Sequence, residues 1–135
     1  MTATNPCFDD VLSTHVLIRA WLSGEAAAEN CAQLLARFSP DFTMVAPGGM
    51  RLDHFGLTGF FQGAGGSRPG LQMRISDLVL IQDSAAGATV SYREFQSMPG
   101  AENTVRLSTV VYEKTPAGEL LWRHLHETWA APATA

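Results

Sequence analysis

The sequence predicts an α+β domain in which a curved antiparallel sheet forms a cone around an N-terminal helical hairpin and a short third helix. Three observations predict it. Apolar residues recur at helical spacing near the N-terminus, while four long segments rich in β-branched and aromatic residues fill the chain after Gly70. Turn residues separate those four segments, and helices followed by a meander are the order of an α+β domain rather than a doubly wound one.

The first helix opens at Asn5-Pro6, an N-cap followed by a proline at the first helical position, and Asp9 and Asp10 suit the positive end of the helix dipole. Val11, His15, Ile18 and Leu22 then fall on one face. Ser23-Gly24 interrupts the pattern, and "EAAAENCAQLLARF" resumes it with Ala27, Cys31, Leu34 and Phe38 on a stripe until Pro40 ends the helix. "DFTMVAP" and "PGGMRLD" follow as a short strand and the turn and strand that reverse it. A third helix spans about Asp53 to Gln62, and "GAGGSRPG" ends it. The meander consists of "LQMRISDLVLIQD", "ATVSYREFQSM", "NTVRLSTVVYEKT" and "ELLWRHLHETW", with turns at Asp83–Gly87, Pro99-Gly100 and Pro116–Gly118.

At 135 residues and 46% hydrophobic, the chain is the size of one domain. Such a domain buries roughly two-thirds of the surface its unfolded chain exposes, so residues 1–135 are expected to form a single domain without disulfides or metals, residues 1–5 and 131–135 being loose. A formal charge of −4 with no run of Lys and Arg argues against nucleic acid and anionic membranes as partners. Cys7 and Cys31 have no CxxC spacing and suit a reducing compartment. The start "MTATNPCFDD" lacks the basic and apolar regions of a secretion signal, and no apolar stretch approaches the roughly 20 residues of a membrane span. The expectation is a cytoplasmic protein.

The order of helix pair, "DFTMVAPGGMRLD", short helix ending in "FF" and four-strand meander resembles the nuclear transport factor 2-like superfamily over nearly the whole chain. That superfamily includes ketosteroid isomerases, SnoaL-type polyketide cyclases and the association domain of calcium/calmodulin-dependent kinase. "LLWRHLHETW" is similar to the W-x-x-V-H-x-H ending of many small members, with Thr128 in place of the final histidine. The resemblance implies a cavity within the cone and a homodimer built through the outer face of the sheet. It implies no single reaction, because a fold hosts many functions.

Strand alternation places Arg123, Leu125, Glu127 and Trp129 on one face of the last strand and Trp122, His124, His126 and Thr128 on the other. Periodicity does not say which face is inward. Similarity to the kinase association domain points Arg93, Leu125, Glu127 and Trp129 into the cavity, with Phe95 and Val110 in its walls and Tyr92 and Glu94 outside. On that reading Glu127 is a general base or ligand anchor and Arg93 clamps an anionic or carbonyl group, unless the two only form an ion pair closing the cavity. His15, on the apolar stripe of the first helix, is the second catalytic candidate.

His124-x-His126 sets two imidazoles on one strand face, but a catalytic zinc site needs three convergent ligands, so no metal is expected. "GAGGSRPG" follows a helix and has no Lys-Ser/Thr ending, which excludes a phosphate loop; it is read as a pocket rim presenting Ser67 and Arg68. No cofactor is expected. Ketosteroid isomerisation is disfavoured because the first helix has no tyrosine and "TMVAPGG" no acid. Two functions compete: a small-molecule-binding protein, and an acid/base enzyme (isomerase, cyclase, dehydratase or hydrolase) acting on a carbonyl-containing or polycyclic substrate. A third reading is a dimerisation module whose cavity is filled by its own side chains.

Overall fold

The computed structural model describes residues 5–131. Its elements are α1 (Pro6–Ser23), α2 (Asn30–Leu35), β1 (Phe38–Val45), β2 (Arg51–Asp53), α3 (His54–Ala64), β3 (Gln72–Asp83), β4 (Gly87–Ser97), β5 (Thr104–Lys114) and β6 (Leu120–Ala130). They form an α+β fold with one six-stranded sheet in the order β2-β1-β6-β5-β4-β3. The sheet is mixed rather than wholly antiparallel, because β1 runs parallel to β6 while every other pair is antiparallel. The termini expected to be loose lie outside the described residues, apart from Asn5 and Ala131. Asn5 is in fact fixed, its side chain accepting from the Cys7 and Phe8 amides to cap α1.

The apolar stripe of α1 packs onto the sheet, with Val11, His15 and Leu22 buried. A second contact ties the same helix to the sheet through Asp10. Its Oδ1 accepts from Tyr112 Oη at 2.8 Å, Trp122 Nε1 at 2.7 Å and Thr14 Oγ1 at 3.2 Å. An acid expected to serve the helix dipole is thus the acceptor for two large aromatic side chains.

The second helix is shorter than its stripe predicts. Ala27 is exposed, residues 25–29 form turns, and Phe38 belongs to β1, where its ring meets Phe42 edge-on at 4.9 Å. Pro40 therefore lies inside a strand instead of ending a helix. It is tolerated because the β1–β6 register shifts between Phe38 and Thr43, so the missing N–H falls where the ladder is interrupted.

The "GAGGSRPG" loop is pinned to the end of α1. Trp21 O accepts from the Gly66 amide at 3.0 Å, and Leu22 O accepts from the Arg68 amide at 2.8 Å. Gly65 is required by this approach, since a Cβ there would stand 2.8 Å from the Trp21 ring. α3 is different: a Cβ at Gly59 or Gly63 would meet nothing within 4 Å, so these helical glycines serve no close packing.

Candidate functional site

Register sets out the concave face of the sheet as rows. Glu94, Arg106 and Trp129 lie abreast on β4, β5 and β6; Tyr92, Ser108 and Glu127 form the next row, and Val90, Val110 and Leu125 the third. Tyr112 and Trp122 continue the face because Arg123 is an extra residue. The register shifts there, with Tyr112 opposite Trp122 and Val111 opposite His124. Trp122, Leu125 and Glu127 consequently share one face, which strict alternation does not allow.

Glu94, Arg106 and Glu127 of the first two rows and Leu125 of the third border a cavity of about 300 Å³. Phe38, Phe42 and Met44 of β1 and Leu57, Phe60 and Phe61 of α3 contribute a wholly apolar side, while Glu94, Gln96, Arg106, Glu127 and His15 make the polar side. Arg68 and Ser67 also line it, as expected of a rim.

Hydrogen bonding within the polar side is dense. His15 Nδ1 donates to the Val11 carbonyl at 2.7 Å, and Nε2 stands 3.0 Å from Glu94 Oε1. A carbonyl can only accept, so Nδ1 carries a proton, and with Glu94 ionised the ring is an imidazolium. Burial opposes that charge, but the Glu94 carboxylate overrides it and raises the His15 pKa. Burial also opposes ionisation of Glu94, which is 3% exposed; the charge and hydrogen bond of His15, with Arg106 and Gln96, nevertheless hold its pKa below the ordinary carboxylate value. Gln96 Nε2 donates to Glu94 Oε2 at 2.5 Å, and its own Oε1 accepts from Arg68 Nη1 at 2.8 Å.

Glu127 moves the other way. Burial and the neighbouring Glu94 charge raise its pKa, against the pull of Arg106 and Ser108. Arg106 Nη1 donates to Glu127 Oε1 at 3.2 Å, and Ser108 Oγ donates to Oε2 at 3.0 Å. Arg106 also lies over the Trp129 ring, 4.9 Å from its centroid, and its buried Nε, without a hydrogen bond among the described residues, faces Glu94 Oε2 at 3.8 Å. Two carboxylates with opposed pKa shifts thus share one arginine.

The structure brings together only part of the predicted set. Glu127, His15 and Leu125 line the cavity. Val110 is fully buried in the core behind it. Trp129 shares the inner face but is 53% exposed. Arg93 and Phe95 are on the opposite, outer face: Arg93 Nη1 stands 3.6 Å from Asp77, and Arg74 stacks 4.1 Å from the Phe95 ring centroid. Tyr92 and Glu94, expected outside, are inside. The physical reason is the alternation of β4, where Ala88, Val90 and Tyr92 are the apolar set and carry Glu94 and Gln96 inward with them. Thr89, Ser91 and Arg93 face out. Arg106, Glu94 and Gln96 were missed, although that polar and apolar alternation in "ATVSYREFQ" was a usable signal.

The pair His124 and His126 lies away from the cavity. His124 Nδ1 is 2.7 Å from Thr43 Oγ1, and His126 is exposed. Among the described residues no three His, Cys, Asp or Glu side chains converge as metal ligands. No described helix is long and apolar enough to cross a membrane.

No family model matches the chain, and no curated protein does. Solved structures do. A protein of unknown function from Pseudomonas aeruginosa, described as NTF-2-like, is 43% identical, with 92% of this chain and 98% of that one covered and a TM-score of 0.88. The association domain of C. elegans CaMKII is 16% identical, with coverage of 90% and 93% and a TM-score of 0.67. ActVI-ORFA from Streptomyces coelicolor is 21% identical, with coverage of 93% and 98% and a TM-score of 0.59. The last two share the fold alone.

Proposed function

Because the chain belongs to the nuclear transport factor 2-like superfamily, a fold that serves unrelated tasks, we propose from its own side chains that it is a small-molecule-binding protein of the SnoaL-like type. The observation that carries this reading is a cavity of about 300 Å³ with one wholly apolar side and, facing it, a polar side that includes two arginines, Arg68 and Arg106. A mostly apolar cavity with a few convergent polar groups suits an apolar guest with one acceptor end, the walls taking its body and the arginines its polar tip. Glu127 and Leu125 hold the guest, His15 keeps Glu94 charged, and Arg106 takes the clamping role first expected of Arg93.

The test is a crystal structure of the protein as purified, inspected for density between Arg106 and Phe42. Ligand-shaped density in contact with Arg106 is the expected result; an interior closed by Phe42, Phe61 and Met44 would leave no room for any guest and overturn the reading.

One observation favours acid/base catalysis as a second reading: burial and the Glu94 charge raise the pKa of Glu127 inside the cavity, the direction that suits a general base. Catalysed exchange of the α-hydrogens of cyclohexanone for solvent deuterium, lost in Glu127→Gln, is its signature. His15 is a positioning residue on either reading, since both its nitrogens are engaged. The protein acts as a homodimer on this proposal, through the outer sheet face where Leu107 and Val79 stay about half exposed. The free thiols of Cys7 and Cys31 support a cytoplasmic setting.

A further inference from the structure

We propose that α3 is the cover of the cavity, a helix kept weakly stable by its glycines, which opens to admit the guest past Phe60 and closes over it. This assignment rests on the small-molecule reading above and adds the guest's way in and out. Exposure locates the mouth. Of the residues that line the cavity, the solvent-exposed ones are Met50, Phe60, Ser67 and Arg68, and all four belong to α3 or to the segments that flank it. The remaining lining residues are buried or half-buried. Phe60, 51% exposed, therefore stands where the cavity meets water.

The walls differ in what it takes to move them. β4, β5 and β6 are joined by continuous antiparallel ladders, and α1 is tied to them by the bonds of Tyr112 and Trp122 to Asp10 and by His15 to Glu94. α3 buries only Leu57, Phe61 and Ala64. Apart from its end caps, one hydrogen bond among the described residues ties it to another element, from Trp21 Nε1 to the Phe61 carbonyl at 2.7 Å. A segment with few buried contacts and few bonds is the one that opens locally. Both of its ends are fixed, by the pairing of β2 with β1 and by the bond of the Gly66 amide to Trp21 O, so opening is confined to residues 54–64.

Composition makes that opening easier. Gly56 has a packing reason, since a Cβ there would stand 3.1 Å from Leu52 Cδ2, but a Cβ at Gly59 or Gly63 would meet nothing. Glycine within a helix favours the unwound chain over the wound one by roughly two- to fivefold relative to alanine at each position. Nothing in the closed state accounts for these two glycines, whereas a helix that must unwind or swing aside to pass a guest has a use for both.

Hydrogen exchange and stopped-flow fluorescence of the full chain with anilinonaphthalene sulfonate, on the wild type and on Gly59→Ala/Gly63→Ala, test this. In the wild type the amides of α3 should exchange faster than those of β4 and β5, and saturating probe should slow them. The double substitution adds two methyl groups outside the cavity lining and should slow α3 exchange by about five- to twenty-fivefold. Probe association and dissociation should slow by that same factor with the affinity unchanged, because the closed helix predominates with and without probe and both directions pass through the opened one. Each single substitution should give its own smaller step. Unchanged probe rates beside a stabilised α3, or wild-type α3 amides as protected as those of β4, would overturn the cover and leave the small-molecule reading intact. A probe that finds no site in either protein would overturn the small-molecule reading and the cover with it.

Discussion

Asp10 and His15 stand little more than one turn apart on α1 and both join that helix to the sheet, yet they anchor two different kinds of buried polar cluster. Around Asp10 the main donors are engaged: Tyr112, Trp122 and Thr14 all point at one carboxylate oxygen, and Arg37 Nη1 lies 3.7 Å from the other. Around His15 the cluster borders a cavity, which Glu94, Gln96, Arg106 and Glu127 all line. The contrast separates polar groups buried between helix and sheet from polar groups that face a chamber.

The comparison breaks most sharply at Asp10. Asp10→Ala leaves the Trp122 indole N–H and the Tyr112 hydroxyl without their acceptor, and each orphaned buried donor costs about 1–3 kcal/mol. Urea denaturation should therefore show a loss on the order of 2–5 kcal/mol, with little change in the affinity of any guest that still finds folded protein. Arg106→Met should cost stability as well, because it strips the shared guanidinium from the buried carboxylates of Glu94 and Glu127, but unlike Asp10→Ala it should also reach the guest. Guest binding should weaken by about 1.5–3 kcal/mol, the worth of a charge-assisted hydrogen bond. Arg93→Ala should leave affinity unchanged, because Arg93 faces outward; equal effects from the two arginines would refute the placement.

The two carboxylates of the cavity sharpen the comparison through pH. The lowered pKa of Glu94 means that its contribution to stability is present above the ordinary value of 4.5 and is lost as pH falls through its folded value. Glu127, raised, binds its proton more firmly in the native state, so its contribution is lost as pH rises from 4.5 through its folded value. Melting temperatures from pH 3 to 8 should therefore show Glu127→Gln gaining on the wild type above pH 4.5 and Glu94→Gln falling behind it. Parallel curves would show that neither carboxyl is perturbed. The smallest effect belongs to α3, where Gly59→Ala meets no obstacle and removes backbone entropy from the unfolded chain. A gain of roughly 0.5–1 kcal/mol is expected by thermal denaturation.

The elements of the meander were legible within a residue or two, because turn residues and β-branched runs are local signals. The short α2 was not, since the stripe Ala27, Cys31, Leu34, Phe38 matches helical spacing while Phe38 is claimed by the sheet. The parallel β1–β6 pair left no trace in either segment. Glu127, Leu125 and His15 were legible as inward residues, but the parity of β4 was assigned from a resemblance against its own apolar pattern, and Arg93 stood in for Arg106. Trp122 was misplaced for a different reason. An inserted residue at Arg123 resets the alternation, and nothing in "LLWRHLHETW" marks which residue is the extra one.

The parallel joining of β1 to β6 also sets an order of assembly. Glu94, Arg106 and Glu127 come from three strands linked by tight turns, so their side of the cavity is closed by local hairpins. Phe38, Phe42 and Met44 arrive only when β1 meets β6, a contact that brings Thr43 to His124 across 81 positions of sequence. Contacts of such separation are slow to form and are placed late on the folding path. Until they form, the charged half of the chamber stands open to water, where its carboxylates and cations are solvated at little cost. The desolvation that tunes Glu127 is therefore acquired in the final docking of β1 and is the first property to disappear when that strand lets go.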